Sequence, residues 1–297
     1  VAKGTASWLL VRRTVLAAWE HRVLGLAAEA GFWGLLSLPP LLLTLLSLIG
    51  YVTDALSPLQ VDALEEAMLE IASGLLVPSV VTSVVHPLVH QMLTQGRSDV
   101  ASLAFVGSLW AGSTATHTYV NTIAIAYGKR DARSAVRSRL LALALYLGGV
   151  VVSAVLLPLL VVGPRVLGHL LPARVATVVH SPVGYWAVVL PGCAVVITTL
   201  YRMTVPGRSR WWSHLPGGVL AAVGWAVGSL GLRWYVRFAF AHANIYGPLA
   251  APAAALLFLY VTALAVLVGA ELNAQLARQP RAEAAPTRAV ALALPRR

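Results

Sequence analysis

At 297 residues the chain is only 11% charged and 58% hydrophobic, with a mean hydropathy of +0.77. An ordinary soluble domain carries about 25% charged residues, so the composition sets a soluble protein aside and points to a membrane protein. In that setting the net charge of +11 belongs to basic loops that fix topology and touch anionic lipid headgroups, not to nucleic-acid binding.

The first residues, 1–22, mix Trp8, Leu9, Val11, Val15 and Trp19 with Lys3, Arg12, Arg13 and Arg22. That mixture predicts a helix lying in the membrane interface, its basic face toward headgroups. The transmembrane domain is expected over 23–276. Its first span runs over about 23–50, carries Glu29 and is interrupted by Pro39-Pro40. Paired prolines remove two backbone donors and should kink or break the helix there. Residues 51–99 hold Asp54, Asp62, Glu65, Glu66 and Glu70 and then an apolar run broken by Gly74, Pro78 and Pro87. They read as an outer amphipathic or re-entrant helical segment, with a further full span as the alternative.

Five more spans follow, over about 100–127, 140–162, 183–201, 215–240 and 248–273. The last is the longest uncharged run and ends at Glu271-Leu-Asn273. A span needs about 20 apolar residues to cross roughly 30 Å of hydrocarbon, and each run is near that length. The fold expected is all-α, a polytopic membrane helical bundle of about six spans. Residues 277–297, rich in Ala, Pro and Arg without helical period, read as a disordered tail. With both termini cytoplasmic, the inner segments hold 17 of the 22 Lys and Arg and the outer segments 5, which the positive-inside rule favours. No cleavable signal peptide is legible: the first apolar stretch is too long for one and follows an amphipathic segment.

Polar residues within apolar spans are the functional candidates, because they are costly in hydrocarbon unless paired, neutral or near water. Glu29, Asn121, Arg202, Asn244 and Glu271 are the candidates for a substrate path. Pro39, Pro40, Pro191, Pro216, Gly217 and Gly247 are the candidates for helix breaks or hinges. Against this stands a bland alternative, in which Glu29 and Glu271 pair with Arg22, Arg202 or Arg278 as structural contacts. Arg233 and Arg237 are expected to snorkel to the headgroups, and His117 to be a packed helix histidine. His86 and His90 are spaced i, i+4 but have Pro87 between them and no third ligand, so no metal is expected. Cys193 is alone, which rules out an intrachain disulfide, and reads as a buried inert thiol. No phosphate-binding glycine loop, dinucleotide fingerprint or hydrolase motif is present; no catalytic residue and no cofactor is expected.

The series Ala27-Ala-Glu-Ala-Gly-Phe-Trp-Gly-Leu-Leu-Ser-Leu-Pro-Pro40 resembles the first-span motif of the YihY/BrkB membrane proteins. Trp110, Ser113, Asn121 and Tyr127-Gly128 resemble its second span. Tyr201-Arg202, Pro206, Leu215-Pro-Gly-Gly218, Tyr246-Gly247 and Gly269-Ala-Glu-Leu-Asn273 continue the match in the family's order, over about residues 8–276. Glu29 departs from it, since many members have a small or neutral residue there. The resemblance implies a six-span bacterial inner-membrane protein with cytoplasmic ends. Members have been labelled ribonuclease BN, a label generally regarded as misassigned; others are linked to serum resistance and one to export of lipid A precursors. The reading is therefore a transporter or flippase-like protein without its own ATPase, moving an envelope lipid, amphiphile or small solute. The alternatives are a non-transporting scaffold for envelope integrity and, last, a ribonuclease. Partners expected are membrane lipids and a lipid or small-molecule cargo, with a homo-oligomer left open.

Overall fold

A computed structural model of the chain describes residues 2–53, 98–170, 182–207, 209–241 and 247–293, together with positions 66, 69, 82, 86, 87 and 89. Among the described residues there are seven α-helices and no strand: α1 Ala2–Glu20, α2 Val23–Thr53, α3 Ser98–Ala126, α4 Ala135–Leu170, α5 Pro182–Thr204, α6 Leu215–Ala241 and α7 Gly247–Ala293. The expected all-α membrane architecture is what the chain adopts. Most of the segment 51–99, including the re-entrant or spanning question, lies outside the described residues. So do His90, His242 and Asn244.

The chain divides into two compact units, residues 1–33 with 113–297, and residues 34–112. In the second unit, Pro39 and Pro40 sit inside α2, which runs on as helix to Thr53 without the break their pairing led us to expect. Hydroxyls around them bond to backbone: Ser37 Oγ donates to the Gly34 carbonyl at 2.7 Å and Thr44 Oγ1 to the Pro40 carbonyl at 2.7 Å. Pro191 likewise lies within α5 without ending it.

Among the described residues, four stretches are long and apolar enough to cross a bilayer: 23–44, 135–153, 211–235 and 252–278, with 189–204 a shorter apolar helix. The chain is thus a multi-pass membrane protein. The expected second span, now α3, falls short of that apolarity because Ser108, Ser113, Thr114, Thr116, His117, Thr118, Asn121 and Thr122 all sit on it. A helix of this kind is at home inside a bundle, where other helices satisfy its hydroxyls.

The core of the first unit is built largely from small residues. Ala27 and Ala30 of α2, Ala221 and Ala222 of α6, and Ala263, Ala270 and Ala274 of α7 are all buried. Large apolar side chains point outward instead: Val151, Val227, Leu230 and Trp234 are exposed. This inversion of a soluble protein suits a bilayer, where lipid tails are as apolar as leucine and helices associate by close backbone approach. The α6–α7 pair is the clearest case. A Cβ at Gly217 would run into the Gly269 carbonyl and the Asn273 amide, and one at Gly228 into Val261.

α7 is the central element, contributing Ala263, Val266, Leu267 and Ala270 to a core shared with Val23, Ala27, Ala30, Ile123, Tyr201 and Val205. It continues as helix to Ala293, so 277–293 is helical where the composition led us to expect disorder. α1 carries Trp8, Val11, Val15 and Trp19 on one exposed stripe, at spacings of three and four residues, opposite buried Thr14 and Ala17. Such a stripe is what an interfacial helix requires.

Candidate functional sites

Two polar places form at one end of the first unit, and they differ in kind. The first is closed. α1 ends at Glu20, and Arg22 adopts a left-handed backbone (φ 54°) before α2 begins at Val23. The turn is held by His21 N–H donating to the Ala17 carbonyl at 2.9 Å and Arg22 N–H to that of Trp19 at 3.0 Å. This tight reversal delivers the His21 ring to α7, where Nδ1 lies 2.7 Å from Glu271 Oε1. Glu271 is fully buried, and its Oε2 has no hydrogen-bond partner.

Two residues further along α7, Asn273 clamps the start of α6. Its Oδ1 accepts from Gly217 N–H at 2.8 Å, and its Nδ2 donates to the His214 carbonyl at 2.8 Å. The first N–H groups of a helix have no partner inside it, and a proline in the first turn gives up nothing there. Pro216 and Gly217 therefore mark a helix start pinned from outside. The His214 ring continues the network, pairing with Tyr127 Oη at 2.9 Å and Ser209 Oγ at 2.8 Å. Tyr201 Oη donates to the Val266 carbonyl at 2.5 Å. Arg278 donates to the Ala126 carbonyl at 3.0 Å, at the end of α3.

The second place is open. α3 closes with a Schellman motif: Lys129 N–H donates to the Ala124 carbonyl and Gly128 N–H to that of Ile125, each at 2.8 Å. Gly128 takes the left-handed conformation (φ 64°) the motif demands. The chain then makes a 3-10 turn at Arg130–Ala132 and starts α4 at Ala135. Between these elements lies a cavity of about 260 Å³, lined by His117 and Asn121 of α3, by Lys129, Arg130, Asp131 and Arg133, and by Ser138 of α4. Lys129 Nζ donates to the Pro206 carbonyl at 2.5 Å, and Arg133 donates to the Thr204 and Met203 carbonyls at 2.6 and 3.3 Å. Cations at the last carbonyls of α5 oppose its negative end, and these bonds fix both side chains at the cavity wall.

A larger recess is apolar. It measures about 560 Å³ and is lined by Ala28 and Phe32 of α2, Tyr235 of α6, and Ala253, Leu256, Leu257 and Tyr260 of α7. Pockets that take small organic molecules run from about 300 to 1,000 Å³. Glu29 sits beside Phe32 on the helix, is exposed, and accepts a hydrogen bond from Thr118 Oγ1 at 3.0 Å.

The five path candidates are therefore dispersed. Asn121 lines the basic cavity, Glu271 belongs to the closed network and Glu29 stands by the apolar recess. Arg202 is half-buried on the last turn of α5 and enters no ion pair among the described residues. Neither carboxylate is joined to arginine: Glu271 has His21 and Glu29 has Thr118. Among the hinge candidates, Gly247 begins α7; Arg233, on α6, is exposed. Reading the sequence passed over His21, Lys129, Arg130, Arg133 and Ser138. The available signal was His117 and Asn121 at i, i+4 on one face of α3, leading directly into Gly128-Lys-Arg. No group of three metal-ligating side chains occurs among the described residues.

Comparison with known proteins agrees with this architecture. The chain is 25% identical over 260 residues to a Bacillus subtilis (strain 168) protein named ribonuclease-like, YfkH, covering 86% of this chain and 90% of that relative. No solved structure matches it. The model of the family described as virulence factor BrkB matches residues 14–291, nearly the whole length, and the chain belongs to that family.

Proposed function

We propose that the protein is a bacterial inner-membrane transporter of flippase type, without its own ATPase, that moves an envelope amphiphile. The observation that carries this reading is the 560 Å³ apolar recess among α2, α6 and α7. Its volume suits part of an acyl chain, and Glu29 lies next in sequence to the lining residue Ala28. A charged group on a hydrocarbon-facing surface is costly; beside a path taken by a polar headgroup it has a use. The basic distribution of the loops supports cytoplasmic termini.

The test is lipid movement in vesicles reconstituted with the full chain and carrying a fluorescent phospholipid. Transport predicts dye reduction of the inner-leaflet lipid at rates well above protein-free vesicles, with Ala253→Trp, which fills the recess, returning the rate toward background. Equal rates with and without protein would discard the reading. A second reading, the non-transporting scaffold, draws on the closed network, because Glu271 and Asn273 are both tied to neighbours within the bundle. It predicts no flux and retention of envelope phenotype in Ala253→Trp. The ribonuclease-like name of the relative is met by incubating purified protein with divalent metal and structured RNA; we expect no cleavage above background.

A further inference from the structure

We propose that the cavity between α3 and α4 is a binding site for a small oxyanion of the phosphate class, carried either by a soluble phosphate ester or by a lipid headgroup. Its size comes first. At about 260 Å³ it holds roughly nine times the volume of a liquid water molecule, taking ~30 Å³ for each, which suits a phosphate group with part of its hydration.

Its donors come next. A lysine ammonium has three N–H donors and a guanidinium five. One on Lys129 and two on Arg133 are used on the backbone at the end of α5, which leaves donors on two cations whose positions are already fixed. Arg130, exposed on the 3-10 turn, is a third. A fixed guanidinium is the side chain best matched to phosphate geometry. His117 also lines the cavity; its Nδ1 is shielded from solvent and has no hydrogen-bond partner within the protein.

The backbone adds to the side chains. The cavity lies against Ala135 and Ser138 at the start of α4, a helix of 36 residues, whose positive dipole end favours an anion, although the Arg137 and Ser138 N–H groups are already bonded to Ser134. Asp131 is the opposing charge. Its single carboxylate against three cations leaves the lining net positive. Charges of one sign in a recess with low-dielectric walls concentrate a counter-ion there. The site is separate from the apolar recess and needs no transport to exist.

The experiment is calorimetric titration of the full chain in a zwitterionic detergent at low ionic strength, first with inorganic phosphate, then with glycerol 3-phosphate and short-chain phosphatidic acid. We expect saturable phosphate binding, weakened about tenfold, or ~1.4 kcal/mol, by Arg130→Gln. That arginine is exposed on a turn, so its loss leaves the fold intact. Asn121→Leu, on the opposite wall, should weaken binding similarly. Phosphatidic acid binding much more tightly than glycerol 3-phosphate assigns the site to a lipid headgroup; equal affinities assign it to a soluble ester. Absence of saturable binding for all three compounds, or affinities unchanged in both variants, overturns the proposal. A vesicle assay without lipid movement leaves it standing, because the titration measures occupancy and not flux.

Discussion

The closed network around Glu271 and the open cavity around Asn121 are made from the same kinds of residue, yet physics assigns them different work. In the network the polar side chains bond one another and the helix ends: His21 bonds Glu271, Asn273 the first turn of α6, and His214 both Tyr127 and Ser209, with Glu271 Oε2 left over. In the cavity the cations are fixed by backbone carbonyls and keep further donors. Groups bonded within the fold contribute stability, and fixed cations with donors to spare can take a ligand. The comparison predicts that network variants change unfolding, whereas cavity variants change binding.

The largest effect is expected at His21. Stranding a buried ionisable group costs about 3–5 kcal/mol, and His21→Ala, at a partly exposed position, leaves the fully buried Glu271 without its partner. Glu271→Gln keeps the shape and a hydrogen-bonding group at the same place, and should cost only about 1 kcal/mol. Thermal unfolding in detergent should therefore rank His21→Ala well below Glu271→Gln. In the same assay Arg130→Gln, a surface change at the cavity, should stay within about 0.5 kcal/mol of the parent. A destabilised Arg130→Gln beside an unaffected His21→Ala would reverse the assignment of the two places.

Next comes Asn273. Asn273→Leu removes two hydrogen bonds and leaves the Gly217 N–H and the His214 carbonyl facing apolar side chains. Each stranded buried group costs about 1–3 kcal/mol, so a total of about 2–6 kcal/mol is expected. Asn273→Asp retains the acceptor for Gly217 N–H but turns the other oxygen against a carbonyl, and should fall between. If Asn273→Leu unfolds with the parent, the first turn of α6 is not held from α7.

These two places also mark what could be read from sequence. The apolar runs foretold the helices because span length is set by the bilayer and shows locally. Glu271 and Asn121 stood out because a polar group within such a run is conspicuous. Their partners were hidden: His21 lies 250 residues from Glu271 in the chain, and only packing brings them together. Lys129, Arg130 and Arg133 were visible as charge but were attributed to topology, since the loop's folding back against α3 and α4 depends on the left-handed Gly128 and on bonds to α5. Pro39-Pro40 misled for a different reason. Proline propensity is local, and α2 runs on as helix through both residues.

The smallest effect concerns the turn that aims His21. Arg22 holds a φ of 54°, a left-handed conformation that costs an L-residue about 1–2 kcal/mol and glycine almost nothing. Glycine has more freedom to lose on folding, about 0.5–1 kcal/mol, so Arg22→Gly should be stabilising by roughly half to one kcal/mol. The arginine side chain is exposed, and its removal gives up little. The turn's hydrogen bonds, from His21 to Ala17 and from Arg22 to Trp19, are made by backbone atoms and survive the change. A small rise in Tm with His21→Ala still costly on the Arg22→Gly background would separate the strain of the turn from the pairing it serves. A fall in Tm instead would mean that the arginine side chain itself contributes to holding α1 in place, and that the left-handed residue is kept for its charge.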